Sequence, residues 1–104
     1  MTTTIPPDEL ARLLKAGDIL LLDVRRRTDR EADPAGIPGA EWRDPEQVGG
    51  WSTDLPHDRR VVVYCVRGGS VSRSVTAELA EKGIRTGYLE GGVEAWKASG
   101  RATG

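Results

Sequence analysis

The chain reads as an α/β domain built on a mainly parallel sheet, and three observations lead there. Two apolar runs, ILLLDV at residues 19–24 and VVVYC at residues 61–65, are continuous rather than alternating, as strands covered on both faces are. Segments with helical spacing lie before, between and after them, and parallel strands need such crossovers to pair. Glycines punctuate the pattern: Gly17, Gly49-Gly50 and Gly83 fall where helical stretches stop.

Taken in order, Pro6-Pro7 and the acidic pair Asp8-Glu9 open a helix whose apolar residues are Leu10, Leu13 and Leu14. The run at 19–24 is a buried strand, although its length alone does not exclude a helical segment. Residues 25–39 are charged and carry Pro34, Gly36, Pro38 and Gly39, so they read as a loop. Residues 40–42 form a very short strand, and Asp44-Pro45 has the N-cap and first-position proline of a short helix ended by Gly49-Gly50. Residues 61–65 are the clearest strand, four β-formers running into the only cysteine. A helix is predicted over 72–82, with Val75, Ala77, Leu79 and Ala80 facing the sheet. Tyr88-Leu89 is a last strand, Gly91-Gly92 a turn and 93–98 a final helix.

At 104 residues the chain is expected to be one domain, with its core at about 6–99 and a loose tail, GRATG. With 15 basic and 16 acidic residues the net charge is −1, so no global basic field marks a nucleic-acid binder. One cysteine excludes an internal disulfide, a CxxC metal site and a two-cysteine redox motif within the chain. The N-terminal stretch lacks the pattern of a signal peptide, and no apolar run is long enough to span a membrane. A cytoplasmic protein with no membrane partner is expected.

Cys65 poses the functional question, because the next nine residues, VRGGSVSRS, are almost wholly small, polar or cationic. In a parallel sheet, ligands bind beyond the carboxyl ends of the strands. Here the thiol ends a strand, with a helix expected some six or seven residues on. A tight glycine-rich connection can turn its N–H groups inward as a nest at a helix N-terminus. Such donors, the helix dipole and Arg67 would favour the nucleophilic thiolate. The same loop suits two chemistries: carrying a transferable sulfur, or binding a phosphate-like oxyanion. The only histidine, His57, lies in a polar turn and reads as a surface residue.

Four motifs then converge. Asp23-Val24-Arg25, Ile37-Pro38-Gly39-Ala40, Cys65-Val66-Arg67-Gly68 and Leu89-Glu90-Gly91-Gly92-Val93-Glu94-Ala95-Trp96 occur in that order. Together the chain resembles the rhodanese family of sulfurtransferases. The resemblance implies a central, mainly parallel five-stranded sheet flanked by helices on both faces. It implies a Cys65 persulfide formed from thiosulfate or a related donor and discharged to cyanide or a thiol, with no metal and no cofactor. A small-molecule donor and acceptor are the expected partners, with a protein sulfur donor or acceptor as a further class. Cys65 would carry the sulfur and the N–H groups of Val66, Arg67, Gly68, Gly69, Ser70, Val71 and Ser72 would cradle it. Arg67 would attract a sulfonate, with Asp23, Arg25 and Arg73 in support, and Trp42 or Trp51 as a wall.

Three departures from the family stand out. Gly36 replaces a histidine before Ile-Pro-Gly-Ala, the segment EADPAG lacks the usual acidic-aromatic pattern, and the loop after Cys65 reads as one residue longer. A longer loop raises an alternative, phosphatase or arsenate-reductase chemistry, which similar folds perform with Cys-x5-Arg. The residue at that arginine's position is Val71. A non-catalytic module that accepts sulfur from, or presents Cys65 to, a partner protein is the remaining reading.

Overall fold

A computed structural model describes residues 3–17 and 19–101. The described chain runs through β1 (Thr3–Ile5), α1 (Pro7–Ala16), β2 (Ile19–Asp23), α2 (Arg27–Ala32) and β3 (Glu41–Trp42). It continues through α3 (Val48–Trp51), β4 (Arg60–Tyr64), α4 (Ser70–Glu81), β5 (Thr86–Leu89) and α5 (Gly92–Ala98). Single 3-10 turns, Pro45–Gln47 and Ser52–Asp54, flank α3.

The five strands form one sheet in the order β1-β5-β4-β2-β3, and every pairing is parallel. The two apolar runs are neighbours at its centre, with Leu21 opposite Val62 and Asp23 opposite Tyr64. Side chains alternate across a strand, so each run serves two cores. Ile19, Leu21, Val62, Tyr64 and Leu89 meet Leu10 of α1 and Val93 and Trp96 of α5 on one face. Leu22, Val24, Val61 and Val63 meet Val75 and Leu79 of α4 on the other. Both faces are covered, which is why neither run alternates in polarity. No helix of the described residues is long and apolar enough to cross a membrane.

The structure corrects five details. Residues 3–5 form an edge strand that TTI does not advertise; it is held by β5 and by the buried side chain of Ile5. Part of the expected 25–39 loop is helical, since α2 spans RTDREA. That helix buries none of its residues, so it leaves no apolar period to detect. Instead, the guanidiniums of Arg27 and Arg30 lie 5.1 and 5.6 Å from the Trp42 ring centroid. Gly49 and Gly50 sit inside α3 rather than ending it. Cys65 lies one residue past β4, not within it. Finally, α4 begins at Ser70, so residues 70–73 are its first turn and not a widened loop. The expected loose tail falls partly on residues 102–104, which lie outside the described residues.

Candidate active site

Because all strands run the same way, the ends of β2, β4 and β5 lie along one edge of the sheet, and the thiol sits there. Cys65 is only 5 % exposed. Beyond it the chain is held by α5: the N–H of Val93 donates to the Cys65 carbonyl at 2.9 Å, and that of Glu94 to the Val66 carbonyl at 3.1 Å. These are first-turn amides, which have no partner within their own helix. No peptide here is cis, so each N–H points opposite to the carbonyl of its own peptide unit. Fixing the Cys65 and Val66 carbonyls on α5 therefore aims the N–H groups of Val66 and Arg67 away from it.

Two glycines make that contact achievable. Gly92, at φ 62°, is so close to the loop that a Cβ would lie 2.5 Å from the carbonyl oxygens of both Cys65 and Val66. Gly68, at φ 71°, would put a Cβ 2.8 Å from the Gly91 nitrogen. The two motifs, Cys-x-x-Gly and Gly-Gly, are thus two sides of one contact. After Gly69 the chain enters α4, whose Arg73 N–H donates to the Gly69 carbonyl at 3.2 Å. Among the described residues, no protein acceptor takes the N–H groups of Val66, Arg67, Gly68 or Gly69. Those of Ser70, Val71 and Ser72 are the free amides of the first turn of α4.

The loop borders a depression of about 340 Å³ lined by Cys65, Val66, Arg67, Gly69, Ser70 and Val71, with Arg25, Arg26 and Asp29 across from them. Arg26 and Asp29 belong to a stretch that reads in the sequence as solvated loop. Only the position of α2, which no sequence signal reports, brings them to the thiol. Arg67 reaches the rim but is engaged: its Nε donates to Glu94 Oε2 at 2.6 Å, and its side chain is 81 % exposed. Arg73 is exposed on α4 and does not line the depression. Ser72 is fully buried, and among the described residues its hydroxyl has no partner. Trp42 and Trp51 do not line the depression, contrary to expectation. Trp51 packs on the α4-side core, and its indole N–H donates to the Asp44 carbonyl at 2.8 Å.

Behind the loop lies a buried ion pair. Asp23 accepts from Arg25 Nη2 at 2.8 Å, from Nε at 3.1 Å and from the Arg25 backbone N–H at 3.0 Å. Both side chains are almost completely buried, so the charges must satisfy one another. Arg25 Nη1 also donates to the Asp33 carbonyl at 2.8 Å, and the Arg25 carbonyl accepts from the Trp42 indole at 2.9 Å. Asp23 thus supports the site through Arg25 and not by a direct hydrogen bond to the loop after Cys65. Burial works against the Arg25 charge, but hydrogen bonding and attraction from Asp23 outweigh it and raise its pKa.

The Gly36 departure has a physical explanation in the same place. A Cβ on Gly36 would lie 2.7 Å from the Tyr64 hydroxyl and 3.4 Å from Arg25 Nη2. There is no room for a histidine, because the tyrosine from β4 occupies that space. Its oxygen accepts from the Ile37 N–H at 3.2 Å. Burial, and after it the negative charge of Asp23, pushes the Tyr64 phenol up to about 12.

The close approach of α5 and the burial of Tyr64 each have a measurable consequence. Gly92→Ala forces a left-handed φ on a residue with a Cβ and drives that atom into the loop carbonyls. It is expected to cost at least about 1–3 kcal/mol, read as a lowered midpoint in denaturant unfolding. The neutral Tyr64 phenol outlasts its unfolded counterpart on raising pH, so stability present below pH 10 is lost on the way to about 12. Absorbance titration should show one of the two tyrosines ionising near pH 12, and Tyr64→Phe should remove that step.

Comparison with known proteins supplies the relationship. The model of the rhodanese-like domain matches residues 6–99. A sulfurtransferase of Allochromatium vinosum is 34 % identical over 102 residues, 96 % of this chain and 92 % of that one. The crystal structure of a thiosulfate sulfurtransferase from Pseudomonas aeruginosa superposes with a TM-score of 0.84 at 28 % identity, covering all of this chain and 19 % of that one. A rhodanese-related protein of Thermoplasma volcanium shares the fold at a TM-score of 0.85 and 20 % identity, over 98 % of this chain and 97 % of its own. With the motifs, the sheet and the family match in agreement, this chain belongs to the rhodanese-like domain family.

Proposed function

We propose that the protein is a sulfurtransferase that carries one sulfur atom as a persulfide on Cys65. One observation carries the reading: α5 clamps the carbonyls of Cys65 and Val66, and among the described residues the amides of residues 66–69 have no protein acceptor in the loop that follows a thiol at a strand end. A ring of fixed N–H dipoles stabilises an anion without a titrating partner. That fits a persulfide, which needs donors for its outer sulfur and no general base. With thiosulfate as donor, the Cys65 thiolate forms a bond to the outer sulfur. The sulfur–sulfur bond of thiosulfate breaks, and its electron pair leaves with sulfite. Cyanide or a thiolate then takes the outer sulfur, and the Cys65 thiolate returns. The cycle balances with no metal, cofactor or external oxidant. A lone thiol used this way suits a reducing compartment, the cytoplasm.

Arg67 is the cation we assign to the sulfonate end of thiosulfate. It would exchange Glu94 for the substrate, two exposed partners of similar strength. Oxyanion chemistry of the Cys-x5-Arg kind is disfavoured because Val71 lines the depression where a guanidinium would be needed.

Incubation with thiosulfate should raise the intact mass by one sulfur atom, and Cys65→Ser should abolish both that gain and cyanide turnover while unfolding normally. Sulfur loading by the serine variant would remove Cys65 from the mechanism. Arg67→Ala should raise KM for thiosulfate by roughly two- to fivefold, as befits one exposed charge, and leave cyanide discharge unchanged. A loss of discharge alone would contradict the assignment.

A further inference from the structure

The α2 segment brings charge as well as a wall to the depression at Cys65. Arg25, Arg26, Asp29 and Arg67 are the charged side chains that line it. Arg25 is paired with the buried Asp23, and Arg67 with Glu94. Arg26 and Asp29 are exposed, and among the described residues neither side chain has a partner. Asp29 also borders a second hollow, of about 270 Å³, that shares Arg25 and Val66 with the first. Every other charge lining that hollow is paired: Arg25 with Asp23, Asp33 with Lys97, and Glu94 with Arg67. Asp29 is thus the unpaired carboxylate common to both hollows beside the thiol's loop.

A free carboxylate facing a loop that holds anions acts according to the charge of whatever enters. Around the depression, Arg26 and Arg67 are positive, Glu94 and Asp29 are negative, and the four cancel. If Arg67 turns from Glu94 to a sulfonate, Glu94 is released, and the balance does not change. A donor with one negative charge meets the N–H groups of the loop, which suit a single anion. A second negative charge finds no cation in excess and is repelled by Asp29. The repulsion acts through water between exposed groups, so each charge of the donor changes its binding by only about 1.4- to fivefold.

We propose that Asp29 is a specificity-determining residue for the sulfur donor, selecting singly charged donors over doubly charged ones. The inference rests on the sulfur-carrier reading above and concerns the charge of the donor. With a thiosulfonate, the Cys65 thiolate forms a bond to the terminal sulfur, the sulfur–sulfur bond breaks, and its electron pair leaves with a sulfinate. Thiosulfate reacts in the same way and releases sulfite. Methanethiosulfonate has a methyl group where thiosulfate has an oxygen, so the two are alike in size and deliver the same sulfur to the same atom. They differ in charge.

The test compares these two donors by intact mass of the loaded protein and by kcat/KM for the donor with cyanide as acceptor. Ionic strengths of about 0.01 and 1 M make charges felt over roughly 30 and 3 Å. At the lower, Asp29→Asn should raise kcat/KM for thiosulfate by about two- to fivefold, and for methanethiosulfonate by about the square root of that factor. Asp29→Glu should keep the wild-type preference, and Asp29→Lys should exceed the asparagine variant. At the higher ionic strength all four proteins should converge. Because α2 buries no residue and Asp29 makes no side-chain hydrogen bond or ion pair, the unfolding midpoint should change little. A donor preference blind to the charge at residue 29, or one that moves equally for both donors, would overturn the role of Asp29 while leaving the sulfur carrier intact. A gap that survives 1 M salt would overturn it too, because it would report packing and not charge. Failure of both donors to load Cys65 would overturn the sulfur-carrier reading and this inference with it.

Discussion

The contact on which the rest of the site depends is the one between the first turn of α5 and the two carbonyls after β4. A strand that leads into a thiol must still dispose of the polar groups of the turn beyond it, and it does so asymmetrically here. The carbonyls of Cys65 and Val66 go to amides of α5, and the N–H groups on the opposite side of those peptides are left for a ligand. Without the clamp, the peptide planes could rotate and the loop would lose its polarity. The demand for closeness then explains Gly92 and Gly68, since a Cβ on Gly92 would enter the Cys65 and Val66 carbonyls and one on Gly68 the backbone at Gly91. It explains Trp96 and Val93 as well, because their burial seats α5 against the sheet and sets the height of the clamp.

The second support acts from the neighbouring strand. Asp23 and Arg25 bury two charges side by side, a costly arrangement that persists because the carboxylate accepts from Nε, Nη2 and the backbone N–H of Arg25 while Nη1 donates to the Asp33 carbonyl. Through its contacts with the Asp33 and Trp42 regions, Arg25 pins the start and the end of the α2 segment, which has no buried residue of its own. A helix with so little hydrophobic anchoring owes its place to this buried guanidinium and to stacking on Trp42. That placement in turn brings Arg26 and Asp29 to the depression.

What the sequence discloses depends on which interactions are local. The β2 and β4 runs and the Leu79 face of α4 declare themselves through apolar pattern, and the Cys-Gly and Gly-Gly motifs through composition. The partners of each motif are tertiary facts. Nothing in the string Asp-Val-Arg says that the acid holds the arginine two residues on, or that Tyr64 fills the space beside Gly36. The start of α4 is hidden because serines at 70, 72 and 74 read as loop, whereas at a helix N-terminus they are well tolerated. The edge strand β1 and the helix α2 are invisible for one reason: each is stabilised mainly by what it touches, not by its own periodicity.

The distribution of charge around Cys65 finally bears on what the site can hold. Several arginines lie nearby, yet the two nearest in the chain to the strand ends are neutralised, Arg25 by Asp23 and Arg67 by Glu94. Besides Arg26, which lines the depression and has no side-chain partner among the described residues, the anion-stabilising groups beside Cys65 are backbone dipoles, and the residue six positions on is a valine. A tetrahedral dianion held by such a loop would lack the bidentate guanidinium that usually offsets its second charge. A persulfide bears one diffuse charge on a polarisable atom, and a few oriented amides are matched to that demand.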